Sequence, residues 1–239
     1  MSLVVTILGG GQGKRMNSSL PKILHLLHNR PMIQWIIEEV QKLNPIKIIV
    51  VVNPRNFNQI KDSLNIFNIT YIVQPRPLGT ADAVKWTLKE LNQDNINLIL
   101  NGDSPLIKAE TLRDILLSYN GGLQFTGIEL QNPYGCVRIF QENGKFQRII
   151  EEKDCLSEQR TIKLVNTGIY VVTKNILDRC LPLIENNNAS REYYLPDLGG
   201  IALQLHYPVN LYILPTSKEK EITNVNTSEQ LIYLNKWST

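Results

Sequence analysis

Short apolar runs alternate, along the first half of the chain, with longer segments whose apolar positions recur three or four residues apart. Leu3–Leu8, Ile46–Val52, Ile69–Val73 and Ile96–Leu100 are brief and rich in branched residues, which predicts buried, mainly parallel strands. Between them, Ile33, Ile36, Ile37, Val40 and Leu43 fall at helical spacing behind Pro31, a residue suited to a first helical turn. Asn58–Leu64 predicts a short helix, and Thr80 is placed to cap another running to about Leu91. Repeated strand–helix–strand units imply a mixed, mostly parallel sheet covered by helices on both faces, a Rossmann-like α/β architecture.

The pattern changes after residue 120. Tyr134–Phe140 and Lys145–Glu151 flank Asn143-Gly144, a strong hairpin turn signal, so a β-hairpin is inserted there. Val165–Val172 and Asn210–Leu214 read as later strands, with helices near 175–184, 193–203 and 228–235. No linker or repeat interrupts the chain, so a single domain over 1–239 is expected.

The first strand runs directly into Leu8-Gly9-Gly10-Gly11-Gln12-Gly13-Lys14-Arg15-Met16, followed by Leu20-Pro21-Lys22. Glycine accepts the positive φ angles that let successive N–H groups converge on an anion. A phosphate-binding loop of the G-x-x-x-x-G-K-S/T type is excluded by Leu8 and Arg15, and the G-x-G-x-x-G dinucleotide spacing fails as well. What remains is a strand, a glycine loop and two cations, Arg15 and Lys22: a cradle for a polyphosphate, or else a flexible glycine turn.

In open α/β sheets ligands gather at the carboxyl ends of strands, so polar residues there carry information. Gln74 ends the third strand and leads through Pro75–Leu78 to Gly79-Thr80; its amide can read a nucleobase edge, or the segment is a proline-stiffened loop. Asn101-Gly102-Asp103 ends the fourth strand, and a carboxylate beside a polyphosphate suits Mg²⁺, as it also suits a turn. Glu151 closes the hairpin, Asn166-Thr167-Gly168 opens an apolar strand, and Val225–Glu229 reads as a helix cap in which Asn226 can face a metal. His25, His28 and His206 lack sequence partners for acid–base or metal work.

Composition narrows the classes. A net charge of +3 over 239 residues gives no basic surface for nucleic acid, and nothing reaches the length of a membrane span or a signal-peptide core. Three cysteines without metal spacing point to a reducing cytoplasm, where the N-x-S/T triplets at Asn17, Asn68, Asn188 and Asn226 are chance matches.

The ordered set resembles the sugar-phosphate nucleotidyltransferases, and among them the uridylyltransferase domains that act on N-acetylglucosamine 1-phosphate. The family's L-A-A-G-x-G-T-R-M and L-P-K-x-L-H correspond to Leu8–Met16 and Leu20–His25, its Q-x-x-x-L-G-T-x-x-A to Gln74–Ala83, and its G-D-x-P-L to Gly102–Leu106. Tyr134-Gly135, Glu151–Asp154, Asn166–Ile169 and Asn187–Asp197 match further motifs in order. The resemblance implies a nucleotide-diphospho-sugar transferase fold, with residues 1–120 mainly binding nucleotide and 121–239 carrying the sugar side and the last helix. It implies that Leu8, Gly9, Gly10 and Gly11 hold the nucleotide through their backbone while Arg15, Lys22 and Asp103 form the catalytic set. Gln74, Gly79 and Thr80 would read uracil and ribose, with Asn101 and Gly102 lining the substrate. Asp103 and Asn226 would bind Mg²⁺, and Gly135, Glu151 and Asn166 would hold the amino sugar. The implied substrates are UTP and N-acetylglucosamine 1-phosphate.

Departures stand out. The family's alanine pair is Gly9-Gly10, its usual Thr is Lys14, and the hairpin matches Gly135 from one side but sets Arg138 and Val137 against Arg and Gly from the other. No hexapeptide repeats follow the last helix, so the acetyltransferase half of bifunctional relatives and its trimer are not expected. Two other readings fit the same residues: a different base and sugar, such as TTP with glucose 1-phosphate, or a non-catalytic copy of the fold. Oligomeric state is not legible.

Overall fold

The computed structural model describes residues 2–11, 13–16 and 18–237, without the side chains of Lys14 and Trp237. Gln12 of the glycine loop, Asn17 of the first N-x-S/T triplet and the Lys14 cation therefore lie outside the described atoms.

Eleven strands follow in chain order: β1 Ser2–Leu8, β2 Leu26–Leu27, β3 Arg30–Pro31, β4 Lys47–Val52, β5 Thr70–Val73, β6 Asn95–Asn101, β7 Leu123–Glu129, β8 Arg138–Glu142, β9 Lys145–Ile150, β10 Leu164–Thr173 and β11 Val209–Leu214. The helices are α1 Met32–Gln41, α2 Phe57–Ser63, α3 Thr80–Lys85, α4 Ala109–Leu117, α5 Lys174–Cys180, α6 Leu198–Gln204 and α7 Ser228–Trp237. The main sheet runs β11-β7-β10-β6-β1-β4-β5. The pairs β1–β4, β1–β6, β4–β5 and β7–β11 are parallel, whereas β10 lies antiparallel to both β6 and β7. The β8–β9 hairpin attaches beside β10 through Val165 and Arg138.

One core layer joins Val4, Ile49, Val51 and Ile99 to α3, α5 and α6; the other joins Val5, Ile7, Val50 and Leu98 to α1, α2 and α4. Adjacent strand residues point to opposite faces, so both faces of these strands are apolar, as a sheet covered on both sides requires. A third, smaller cluster packs α7 through Leu231 and Leu234 against Met16, Leu27, Met32 and Val225. Among the described residues, no helix is long and apolar enough to cross a membrane.

The expected elements recur with local corrections. Thr80 is the first residue of α3 rather than its cap; Gly79 caps it, and Thr80 Oγ1 instead accepts the Leu195 N–H at 2.9 Å. Likewise α1 starts at Met32, with Pro31 just outside it. The hairpin starts at Arg138 rather than Tyr134, and its turn has positive φ at both Asn143 (50°) and Gly144 (73°), the I′ geometry that Asn-Gly favours. α4 and β7 are absent from the expectation. β7 buries Gln124 and Thr126, whose polarity masks a core strand; Gln124 is satisfied internally by donating to the Ile115 carbonyl at 2.9 Å.

Candidate active site

The connection from β1 through α1 to β4 runs one way across the sheet, whereas β6 lies on the other side of β1. The strand order therefore reverses at β1, and the carboxyl ends of β1 and β6 are where sheets of this kind bind ligands. The glycine loop leaves β1 there. Gly9 N–H donates to the Val51 carbonyl at 2.9 Å and Gly102 N–H to the Leu8 carbonyl at 2.9 Å, which lashes the two strand ends together. A Cβ on Gly102 would lie 2.9 Å from that Leu8 oxygen, so the approach requires glycine. Gly10 is held through its carbonyl by Asn53 Nδ2 at 3.0 Å, and a Cβ on Gly11 would meet no described atom within 4 Å, leaving backbone open to a ligand.

Four polar side chains from distant parts of the chain converge beside this loop. Lys22 Nζ donates to Asp103 Oδ2 in a close ion pair and to Asn226 Oδ1 at 2.8 Å. Arg15 Nη2 donates to the same Asn226 oxygen at 2.9 Å. Asp103 is fixed from behind, its carbonyl accepting the Val225 N–H at 2.8 Å. Its Oδ1 is buried and has no hydrogen-bond partner among the described residues. A buried carboxylate oxygen left without a partner is costly unless something else fills its coordination, and a divalent cation does so. Among the described residues no group of three or more His, Cys, Asp or Glu could hold a metal ion alone, so the donor set fits an ion completed by phosphate oxygens.

At the carboxyl end of β5, Gln74 is buried and its Nε2 donates to the Gly79 carbonyl at 3.0 Å and to Asp82 Oδ2 at 2.8 Å. Asp82 thereby fixes the amide so that Oε1 lies next to Gly10, 3.4 Å from where a Cβ there would stand. Gly79 (φ 119°) is required for another reason: its Cβ would sit 2.4 Å from the Tyr193 carbonyl oxygen. That strand-like contact, with Tyr193 donating to Leu78 and Ala81 to Tyr193, binds the Gly79-Thr80 turn to the 193–195 segment.

On the other side of β6, β10 carries a register shift between Asn166 and Tyr170, with Gly168 at φ 79°. The bulge re-aims Asn166, whose Nδ2 donates to the Tyr170 hydroxyl at 2.7 Å and whose Oδ1 accepts the Gly168 N–H at 3.3 Å. A Cβ on Gly168 would lie 2.2 Å from Asn101 Nδ2, so the bulge glycine makes room for the amide at the end of β6. Glu151 lies at the end of β9, lining an open cavity of about 540 Å³ with Asp154, Tyr194, Asp197 and Asn188. Burial, then the charges of Asp154, Asp197 and Glu192, push its carboxyl up to about 7. Gly135 sits in an open turn at φ 77°. Arg138, almost fully buried, does not face solvent: it pairs with Glu152 at 2.8 Å and donates to the carbonyls of Cys136 and Arg160, bolting the Gly135 turn to the Glu151 segment.

The structure thus brings Arg15, Lys22, Asp103 and Asn226 into direct contact, ties Gln74 to Gly79, and sets Asn166 and Gly168 beside Asn101, while Glu151 lines a cavity with other residues. The sequence reading missed Asp82, the backbone of Tyr193 and Gly168. Gly168 had a signal, a glycine inside an apolar strand pattern, which marks a bulge.

A fold of this order with a cationic glycine loop and a strand-end carboxylate defines a nucleotidyltransferase, and comparison bears this out. The chain belongs to the MobA-like NTP transferase domain family, matched over residues 5–149. It is 48% identical over 243 residues to a probable UDP-N-acetylglucosamine pyrophosphorylase of Acanthamoeba polyphaga mimivirus, covering 97% of this chain and 94% of that protein. It is 38% identical to the bifunctional protein GlmU of Nitrosococcus oceani and 40% identical to that of Francisella tularensis, and it spans about half the length of each. The fold superposes on that of a putative glucose-1-phosphate thymidylyltransferase from Bacillus anthracis with a TM-score of 0.78 at 17% identity, covering 98% of this chain and 94% of the other. Members of this family generally use a divalent metal.

Proposed function

We propose that this nucleotidyltransferase transfers UMP from UTP to N-acetylglucosamine 1-phosphate, releasing pyrophosphate. A phosphate oxygen of the sugar attacks the α-phosphorus of UTP; a new P–O bond forms as the bond to the bridging β-phosphate oxygen breaks. This chemistry asks for alignment and charge neutralisation more than for a proton-transfer residue, in keeping with the absence of histidine from the cluster. The observation that carries the reading is the contact set Arg15–Asn226–Lys22–Asp103 with its partnerless buried Asp103 Oδ1.

Asp103 and Asn226 would hold Mg²⁺, which supplies charge neutralisation between the phosphates. As the triphosphate enters, Arg15 and Lys22 turn from the Asn226 oxygen to the phosphate oxygens, and the loop N–H groups of Gly10 and Gly11 hold the nucleotide, the Gly9 N–H being engaged by Val51. Gln74 Oε1 accepts the N3–H of uracil, its N–H₂ being already engaged by Gly79 and Asp82. Glu151 and Asn166 take the hydroxyls and acetamido group of the sugar, with Gly135 and Asn101 lining the approach.

The test is pyrophosphate release over a matrix of nucleoside triphosphates and sugar 1-phosphates. UTP with N-acetylglucosamine 1-phosphate is the expected best pair. CTP is used at least about tenfold less well, since a mismatched buried amide costs roughly 1–3 kcal/mol. Glucose 1-phosphate with TTP as the best pair would overturn the substrate assignment and leave the reaction class standing.

A further inference from the structure

Asn226 accepts hydrogen bonds from both Arg15 and Lys22 through a single oxygen, and in the proposed reaction both cations turn from it to phosphate, so what aims the side chain has to lie elsewhere. It stands two residues before α7, and the first turn of that helix is tied to it. Thr227 Oγ1 accepts the Gln230 N–H at 3.3 Å, and Gln230 Oε1 reaches back to the Thr227 N–H at 3.1 Å, a reciprocal T-x-x-Q capping box. The same Gln230 oxygen also accepts the Asn226 N–H at 2.6 Å, shorter than its bond to the cap residue itself. On the other flank, buried Val225 is pinned by the Asp103 carbonyl. The backbone of Asn226 is therefore clamped on both sides.

A second residue of this turn reaches the opposite wall. Ser228 Oγ donates to the Met16 carbonyl at 3.2 Å, next to Arg15. The far end of α7 is anchored too, because Asn235 accepts the His28 N–H at 2.8 Å and donates to the Leu26 carbonyl at 3.3 Å.

We infer that Gln230 is a positioning residue for the nucleotidyl-transfer site: through its side-chain oxygen the capping box of α7 sets the Asn226 backbone, and so the direction in which the Asn226 amide oxygen meets Lys22, Arg15 and the metal. The inference rests on the role assigned to Asn226 above. Gln230 is exposed and touches no reacting group, so its effect is carried wholly by geometry.

The test compares four variants of the full chain by kcat, half-saturating Mg²⁺ concentration, KM for the sugar phosphate and thermal midpoint. Gln230→Ala lowers kcat about fivefold and raises the Mg²⁺ requirement several-fold, a change on the scale of a lost cap, with the sugar KM unchanged. Gln230→Glu keeps the acceptor and stays within about twofold of the wild type, since Glu serves equally in a capping box. Ile232→Gly, at an exposed position within α7, lowers the thermal midpoint as far as Gln230→Ala does but leaves kcat and the Mg²⁺ requirement alone. Asn226→Ala lowers kcat more than Gln230→Ala. Wild-type kinetics for Gln230→Ala beside a deficient Asn226→Ala would overturn the inference alone. Equal kinetic losses in Ile232→Gly and Gln230→Ala, or no rescue by Glu, would reduce Gln230 to a helix stabiliser. A fully active Asn226→Ala would remove the reading of Asn226 and this inference with it.

Discussion

Glu151 is held at a cost that a measurement can isolate. Its carboxyl titrates near 7 rather than near 4.5, first because it is buried and then because Asp154, Asp197 and Glu192 lie close, with Lys153 offsetting part of the effect. Each unit is worth about 1.4 kcal/mol, so forcing the group to ionise in the folded protein costs on the order of 3 kcal/mol. The folded state binds this proton more tightly than the unfolded chain does. The associated stability is complete below the unfolded pKa and is lost as pH rises through about 7. Glu151→Gln keeps the shape and removes the ionisation. Urea unfolding between about pH 4 and 8.5 should then give nearly equal stabilities at the acid end and a variant more stable by up to about 3 kcal/mol at pH 8. A smaller slope persists in the variant, because Asp197 is itself raised to about 6 by burial and Asp154. At pH 8, where the wild-type carboxyl is ionised, the KM for the sugar phosphate rises by about tenfold in the same variant while that for UTP holds, since a charged acceptor for sugar hydroxyls is lost. Parallel stability curves for the two proteins would refute the electrostatic argument. An unchanged sugar KM would remove Glu151 from the sugar site.

Asp103→Asn should lower kcat at least about a hundredfold with the fold intact by circular dichroism, because the neutral amide no longer matches a divalent ion; wild-type turnover with Mg²⁺ would reduce Asp103 to a turn residue. Lys22→Ala should lower kcat/KM at least about tenfold and also lower the thermal midpoint, since it strands the Asp103 carboxylate in a half-buried site; a loss confined to stability would show that Lys22 serves only the ion pair. Gly79→Ala should destabilise by roughly 2–4 kcal/mol in urea, as its methyl would meet the Tyr193 carbonyl, whereas Gly135→Ala in its open turn should cost only about 1–2 kcal/mol. Equal losses at the two glycines would mean that φ alone, and not the Tyr193 approach, fixes Gly79.

How much of this was legible in the chain depends on whether a residue's reason is local. The β1–loop–α1 unit, the Asn-Gly hairpin turn and the α7 cap follow from neighbouring residues, and each forms nearly where the pattern places it. α4 and β7 escaped because their reasons lie between elements: Gln124 is tolerated in a core strand because the Ile115 carbonyl and the Ser118 hydroxyl, at the end of α4, accept its amide N–H groups. The site divides the same way. Arg15, Lys22, Asp103 and Asn226 each stand out in the sequence, but that one Asn226 oxygen accepts from both cations, more than 200 positions away, is not written in any local pattern. The glycine at 79 reads as a turn residue from sequence, yet what forbids a side chain there is the backbone of Tyr193, which no local pattern indicates.

The two glycines that replace an alanine pair in the loop show how such distant reasons divide a single motif. At Gly9 a methyl would lie 2.7 Å from the Cδ1 atom of Ile23 and 3.1 Å from the Val51 oxygen, so the residue after Lys22 already fills the space that an alanine would use. Gly9 and Ile23 are one packing unit, and the position of Lys22, between the loop and Ile23, depends on it. At Gly10 a methyl would make only an ordinary contact with the Gln74 oxygen, 3.4 Å away. Nothing in the packing demands glycine there, so what its absence of a side chain changes is the wall against which the Gln74 amide rests. The first substitution therefore belongs to the placement of Lys22 and the second to the surroundings of the Gln74 amide, although they are adjacent in sequence and identical in kind.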